Sequence, residues 1–416
     1  MLVHQAFRFE LAPTAAQRAA LINHAGAARW AWNWGLAVRR KTWQRRRQTL
    51  NAMDLHRLLN RLKRTTRYGW LYEVSKCAPQ EALRDLDRAY ANWWRSRKQG
   101  RRGGRPRFKK KGRCPERFRL TGAIHVERDA VVLPRIGRVR TKEATGKFRG
   151  GGQILSATCR READRWYVAL TVNVVRLDPA AVTGPVVGVD RGIRTFAVCS
   201  DGTTIDSPRA LARGQRRLRR RGRAVTRKQP GSANRRRAVL ALARYHRRIR
   251  NQRVDALHKA TTALAKAKSV IVVEDLYVAG MVRNRRLARA IADQGWGEFH
   301  RQLTYKTAWY GSRLLVAPRF YPSSKTCSSC GLLKTTLPQD IRMFSCEGCG
   351  QMIDRDLNAA RNLARLAEAQ ARLVAASSAE TRNACGEGSA GWAATGPVEL
   401  TSVKQERTRV HTITGA

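Results

Sequence analysis

Residues 185–193 read P-V-V-G-V-D-R-G-I, residues 269–275 read S-V-I-V-V-E-D, and residues 354–362 read D-R-D-L-N-A-A-R-N. The first two are short β-branched runs, each ended by a carboxylate, and such runs make buried strands. The third opens a helix with acids in its first turn. Carboxylates at the ends of adjacent strands, joined by one from a packed helix, can converge on a pair of divalent ions. Asp190, Glu274 and Asp354 are the candidates. Hard oxygen ligands suit Mg2+ or Mn2+. Two such ions can activate a water and stabilise the leaving oxygen at a phosphodiester. Taken singly, two of the acids have a plainer use: Asp190 can cap the turn at Gly192, and Asp354 can cap its helix.

Acids are scarce in this chain. Its 416 residues carry 83 Lys+Arg against 30 Asp+Glu, a net charge of +53. Such an excess points to a polyanionic partner. At 43% hydrophobic residues the chain still has enough apolar matter for a core. No apolar run approaches the ~18 residues a membrane helix needs, so no membrane partner is expected. The N-terminus lacks a basic region followed by an apolar stretch, so no signal peptide is expected and a cytoplasmic protein is predicted.

Two segments concentrate the charge. Residues 95–113 hold eleven basic residues, four glycines and no acid, which predicts a loop that contacts phosphate or a disordered linker. Residues 209–250 hold seventeen basic residues and no acid, on a helical stretch expected to run to about Lys268. Val239, Leu242, Ile249, Leu257 and Leu264 fall at helical spacing and predict a buried stripe opposite a basic ridge. Arg107, Lys109 and Lys110 from the loop, and Arg217, Arg220 and Arg236 from the ridge, are candidate contacts to nucleic acid.

The cysteines give a second constellation. C-S-S-C (327–330) and C-E-G-C (346–349) are separated by fifteen residues. Each CxxC turns two thiolates toward one centre, and two of them make a closed four-sulfur tetrahedron for structural Zn2+. Gly331 and Gly350 follow the pairs and permit the turns. Cys327, Cys330, Cys346 and Cys349 are therefore the candidate zinc ligands. No G-x-x-x-x-G-K-[ST] sequence is present, so nothing supports nucleotide hydrolysis.

The N-terminal part alternates with Phe7, Phe9 and Leu11 on one face, which predicts a strand. Thr14 and Gln17 form a capping-box signature for a helical region reaching about residue 98. Its Trp-rich faces fit core packing. Residues 118–177 read as short strands separated by glycines, a small barrel-type unit into which the helical region would be inserted.

In order and spacing, G-V-D-R-G-I, V-V-E-D-L-Y-V-A-G-M, F-Y-P-S-S-K-T-C-S-S-C-G and D-R-D-L-N-A-A-R-N resemble the TnpB (OrfB) family of transposon-encoded proteins. That family is related to the type V CRISPR effectors. The likeness also takes in residues 287–303, Y-K-T-A-W-Y-G (305–311), P-T-A-A-Q, R-F-K-K-K-G (107–112) and N-A-C-G-E (383–387), and covers about residues 1–370. It implies an α/β multidomain protein: a wedge β-barrel (1–12 and 118–182), a helical recognition domain with the basic loop (13–117), a RuvC, RNase H-like nuclease domain (183–320 and 351–370) and a zinc ribbon (321–350). A disordered tail (371–416) is expected after them.

The resemblance further implies an RNA-guided DNA endonuclease using two metal ions. Its partners would be a guide RNA transcribed from the element's end and a double-stranded DNA target, with a separate transposase encoded by the same element. On the family pattern Asp190, Glu274 and Asp354 match the D-E-D set, and Asp356, the second acid of D-R-D, ranks below Asp354. Arg191 stands where an aliphatic residue is more usual. The guide would read sequence by base pairing while the protein reads a short adjacent motif. Lys76 and Gln80, in S-K-C-A-P-Q (75–80), are candidate readers, since Gln can pair bidentately with adenine. Two other functions stay open at this point: a non-cleaving nucleic-acid-binding accessory or repressor of a mobile element, and a transposase in its own right.

Overall fold

The computed structural model describes residues 2–100, 103–148, 152–338 and 340–383, the last thirteen as helix backbone alone. Strand β1 (Leu2–Leu11) buries Phe9 and Leu11. It leads into α1 (Ala15–Arg46), whose start is the expected capping box: the Gln17 N–H donates to Thr14 Oγ1 at 3.3 Å, and the Thr14 N–H donates to Gln17 Oε1 at 3.1 Å. Such a cap is worth about 1 kcal/mol. Helices α2 (Ala52–Lys63) and α3 (Cys77–Lys98) complete the helical part. Its core is Leu36, Leu55, Leu59, Leu71, Leu83 and Leu86 with Trp32, while Trp30 stacks on Trp34 at 5.9 Å between ring centres.

Further strands follow and form two sheets. They are β2 (Arg117–Leu120), β3 (His125–Val126), β4 (Ala130–Leu133), β5 (Gly137–Arg140), β6 (Gln153–Glu162) and β7 (Arg165–Val175), with β1 completing the set. Strand β1 pairs antiparallel with β7 from Leu2↔Val175 to Leu11↔Trp166, giving a sheet ordered β1-β7-β6-β2. The sheet β3-β4-β5 packs with it, and a bridge between Leu11 and Thr141 links the two. One core fills the space: Phe9, Trp166, Val168 and Leu170 from the first sheet, Val131, Leu133 and Val139 from the second. The helices thus leave and re-enter a single β unit.

The second half is built on β8 (Val187–Arg191), β9 (Ala197–Cys199), β10 (Thr204–Ile205), β11 (Val270–Glu274) and β12 (Arg313–Ala317), ordered β10-β9-β8-β11-β12. The first three meander antiparallel, β11 runs parallel to β8, and β12 runs parallel to β11. This is the RNase H-like order. Between β10 and β11 lie α4 (Ala210–Thr226) and α5 (Ala233–Ala267); between β11 and β12 lie α6 (Val278–Met281), α7 (Ala288–Gln294) and α8 (Trp296–Tyr310). Val187, Val189, Ile271 and Val273 pack one sheet face against Leu257, Leu264, Phe299 and Leu303 of α5 and α8. A small hairpin, β13 (Met343–Ser345) and β14 (Met352–Asp354), precedes α9 (Arg355–Asn383).

Helix α9 meets the sheet at unusually close range. A Cβ on Gly188 would lie 1.9 Å from the Ala360 carbonyl oxygen and 2.6 Å from the Ala364 nitrogen. Only hydrogen fits between strand and helix backbone there.

Several expectations need correction. The basic stretch 209–268 is two helices, not one, broken at Pro230-Gly231 with Gly231 at φ 83°. Proline removes a helix donor, and the positive φ turns the chain back. Val239 is 47% exposed, outside the buried stripe that does hold Ile249, Leu257 and Leu264. Leu257 and Leu264, in the C-terminal half of α5, are the ones that reach the sheet core. Helix α9 continues through 371, where a disordered tail was expected, to Asn383; its Ala-rich run 371–383 favours helix. The stretch 384–416, which includes most of N-A-C-G-E and Cys385, lies outside the described residues.

The loop differs too. Helix α3 extends through Lys98, and residues 106–109 are held against α1. Trp32 Nε1 donates to the Arg107 carbonyl at 2.9 Å, Asn33 exchanges two hydrogen bonds with the Lys109 backbone at 2.8 and 2.9 Å, and Arg40 donates to the Pro106 carbonyl at 3.0 Å. Residues 106–109, three of them basic or proline, are held in place because side chains satisfy their backbone.

Gly188→Ala should destabilise the protein by about 3 kcal/mol, since the opposing atoms are backbone and cannot rotate away. Gly222→Ala, in α4 with nothing within 4 Å of the new methyl, should stabilise it by up to about 1 kcal/mol. Denaturant melts of both variants check the pair; equal effects would mean that the strand–helix packing has room to spare.

Candidate active site and metal centre

The β8–β11 ladder ends at Val189↔Val273, and the next residue on each strand is an acid, Asp190 and Glu274. Parallel neighbours that end together place both side chains at one sheet edge. Burial, then the charge of Glu274, then that of Asp356 push the Asp190 carboxyl well above the usual carboxylate range. Glu274 accepts a hydrogen bond from Ser323 Oγ at 2.8 Å. Arg191, buried beside the pair, donates Nη2 to the Glu274 backbone carbonyl. It thereby ties β8 to β11 beyond the end of the ladder.

Asp354 is held by its own helix start. It is exposed, and its Oδ1 accepts from the Asp356 and Leu357 N–H groups at 2.9 and 3.0 Å. That is the capping role open to it from the start. The acid of D-R-D that acts on Asp190 is Asp356, half-buried in the first turn of α9 and 3.6 Å from Arg342. Carboxylates that repel one another in a partly dry site are a donor set suited to a hard divalent cation. Arg191 and Arg355 only partly offset this repulsion.

Among the described residues, one group of four side chains brings its ligand atoms within 4.8 Å of one another: Cys327, Cys330, Cys346 and Cys349. Cys327 and Cys349 sulfurs lie 3.7 Å apart, and Cys330 and Cys346 sulfurs 3.5 Å. Sulfurs about 2.3 Å from a central Zn2+ would be spaced about 3.8 Å in a tetrahedron. The two knuckles repeat one design. The Gly331 N–H donates to the Cys327 carbonyl and the Gly350 N–H to the Cys346 carbonyl, both at 3.0 Å, with φ of 81° and 70° at the glycines. Although burial raises the Cys327 thiol, the Cys330 and Ser329 N–H groups bring it down to about 6. It is ready to ligate as thiolate.

Comparison with known proteins places this arrangement. A family profile described as "Probable transposase", that of OrfB, matches residues 168–285, and one described as "Cas12f1-like, TNB domain" matches residues 296–363. A protein of Streptomyces pristinaespiralis named "Putative RNA-guided DNA endonuclease" is 34% identical, over 98% of this chain and 97% of its own. The chain belongs to the TnpB (OrfB) family. A Mycobacterium tuberculosis relative with the same designation is 39% identical over 88% of this chain and 86% of its own. A cryo-EM structure of a Cas12f1–sgRNA–target DNA complex superposes with a TM-score of 0.50 at 15% identity, over 84% of this chain and 82% of that one. The fold is thus the RuvC-like one of TnpB and Cas12f1 proteins. A further profile, described as a helix-turn-helix domain, matches residues 1–48, which here form β1 and the single helix α1.

On this TnpB-family framework the nucleic-acid candidates divide. Lys76 and Gln80 stand one turn apart at the start of α3, Lys76 exposed and Gln80 half-buried. Arg107, Lys110, Arg217, Arg220 and Arg236 are exposed. Lys109 turns inward: its Nζ lies 3.5 Å from the centre of the Trp32 ring, and burial lowers it to about 8.

Three residues escaped sequence reasoning: Asn358, Asn362 and Ser323. The two asparagines, one turn apart on α9, reach into the cysteine region. Asn358 accepts from the Ser328 N–H at 2.8 Å and donates to the Thr326 carbonyl at 2.7 Å; Asn362 donates to Ser323 and Thr326 carbonyls at 2.7 and 2.6 Å. Ser323 then bonds Glu274. The i,i+4 spacing of the two asparagines was the available signal.

The purified protein is expected to hold one zinc per chain, and Cys346→Ser to lose it and to melt at lower temperature. Elemental analysis beside a thermal melt reads both; full zinc content in the variant would remove the four-cysteine assignment.

Proposed function

We propose that this chain is an RNA-guided, metal-dependent DNA endonuclease of a transposable element. The observation that carries the reading is the pair of acids, Asp190 and Glu274, that follow the last rung of the β8–β11 ladder in a RuvC-like sheet, with the charge of Asp356 also felt at Asp190, in a chain whose excess charge is +53. A polyanion-binding protein has little reason to gather acids where phosphate arrives unless a cation sits between them. The names of the relatives, and the RNA and DNA in the Cas12f1 complex, support a guide RNA and a DNA target here too.

In this reading Asp190, Glu274 and Asp356 hold Mg2+ or Mn2+, and Cys327, Cys330, Cys346 and Cys349 hold Zn2+. Bound divalent ions would supply an activated water and charge stabilisation at the scissile phosphate. The chain's own residues set the geometry. Ser323 orients Glu274 by donating to it, and Arg191 fixes the spacing of the two strand ends. The β unit (1–12 and 118–182) is the wedge, 13–117 the recognition domain with Lys76 and Gln80 near the motif-reading surface, 183–320 with 351–370 the nuclease domain, and 321–350 the ribbon. Arg107, Lys110, Arg217, Arg220 and Arg236 contact backbone phosphates. The protein acts in the prokaryotic cytoplasm beside the nucleoid, and strand transfer falls to a separate transposase.

The first test is to express the gene with its flanking DNA, sequence the RNA that copurifies, and assay cleavage of a matching plasmid in Mg2+. A defined RNA and a cut plasmid are expected. RNA-independent binding without any nick would instead indicate a non-cleaving accessory protein, and strand-transfer products would indicate a transposase. A second test separates the two acids of D-R-D. Asp356→Asn should cut cleavage by at least about a hundredfold, as a missing ligand costs more than a missing outer-shell partner. Asp354→Asn keeps an N-cap oxygen and should stay within a few-fold of wild type. The reverse pattern would return the third ligand to Asp354.

A further inference from the structure

Arg244, Arg247, Arg248 and Arg250 of α5 divide by what they face. Arg244 and Arg247 grip Asp164 at 2.9 and 3.0 Å, and Arg250 grips Glu162, fastening α5 to the β6–β7 turn. Although burial opposes it, hydrogen bonds from Arg244 and Arg247 hold the Asp164 carboxyl down to about 2. Arg248 faces α4 instead. There Arg248 joins Arg213 and Arg217 around a cleft of about 310 Å3, completed by Tyr245, Gln252 and Pro208. The cleft lining contains no carboxylate among the described residues.

The close approach of the two helices creates this cleft. Gly214, buried in mid-helix, lets α4 sit against α5; a methyl group there would meet Ile249 at 2.7 Å and the Tyr245 hydroxyl at 3.2 Å. A mid-helix glycine costs about 1 kcal/mol of helix propensity. Its position brings the arginines flanking it, Arg213 and Arg217, onto Arg248. Arg217 and Arg221 also lie 5.8 and 5.3 Å from the Tyr245 ring centre, so the ring carries two cations. Three arginines, a tyrosine and a glutamine from two helices line one cleft with no acid among them, and such donors have one kind of complement. A solvated ridge would fan its charges apart.

We infer that the α4–α5 cleft is a seat for one phosphate of a nucleic-acid backbone, held by Arg213, Arg217 and Arg248 with Tyr245 and Gln252 at its wall. The inference rests on the nucleic-acid-binding reading above and assigns one of its phosphates to a defined place. Guanidinium forks match phosphate oxygens bidentately. The phosphate can come from RNA or from DNA, since both backbones carry the same group.

The test compares two double variants with the same loss of charge. Arg213→Gln with Arg248→Gln empties the cleft; Arg244→Gln with Arg247→Gln removes arginines already matched by Asp164. Affinity of the full chain for a random-sequence single-stranded RNA and for a random-sequence DNA duplex is measured across a salt series. Each phosphate that the protein no longer neutralises should flatten the plot of log K against log salt by about 0.9 on duplex or about 0.7 on single strands. The cleft variant is expected to bind roughly tenfold more weakly and to flatten the slope by that amount on at least one probe. The probe affected identifies the strand that occupies the cleft. The control variant should keep the wild-type slope. Arg248→Lys tests the same point with the charge kept, and should retain the slope but only part of the affinity. An unchanged slope in the cleft variant, or equal flattening in the control, overturns the inference and leaves the general reading standing. Wild-type protein that binds neither probe in a salt-dependent way overturns both.

Discussion

Helix α9 lies so close to strand β8 that Gly188 has room for no side chain, and the rest of the site follows from that packing. The strand carries Asp190 two residues on. The helix carries Asp356 one turn before Ala360, whose carbonyl faces the glycine. Backbone-to-backbone packing therefore fixes the distance between elements that bear two of the three acids. The third arrives through the parallel pairing of β8 with β11. Main-chain packing, which no rotamer change can relax, thus sets the spacing of the elements that carry these acids. Side chains such as Ser323 and Arg191 only trim it.

The charge of the chain is likewise organised by pairing. Several acids outside the site fasten elements together: Glu81 and Asp85 hold Arg119, Glu10 holds Arg165, and Glu162 and Asp164 hold three arginines of α5. Asp293 receives the Leu211 and Ala212 N–H groups at the start of α4, at 3.0 and 3.2 Å, and so anchors the basic hairpin by its helix end. Such a distribution leaves the exposed side chains of α4 and of residues 105–113 with one sign of charge. It separates arginines that build the fold from arginines that face a ligand.

Much of this was legible in the sequence. Hydrophobic period and terminal acids located β8 and β11, paired cysteines located the metal cage, and Thr14 with Gln17 located a helix start. What was not legible is a matter of three-dimensional register. Asp354 and Asp356 differ by two residues, about 200° around a helix. Which one faces Asp190 depends on where the first helical turn begins, and Asp354 itself is that beginning. The basic loop has little to bury, which in the sequence argues against order. Its residues 106–109 are held because Trp32, Asn33 and Arg40, far earlier in the chain, supply their hydrogen bonds. The Pro230-Gly231 break was readable, but the density of arginine on both sides masked it.

The asparagine ladder on α9 has a consequence for metal content. Asn358 and Asn362 join the cysteine knuckle to Ser323, and Ser323 joins Glu274. A cation that fills the sulfur cage adds its binding free energy to whatever state keeps these bonds intact, by mass action. Order at the carboxylate edge is then partly on loan from the thiolates, and chelation at one centre would soften the other without touching it.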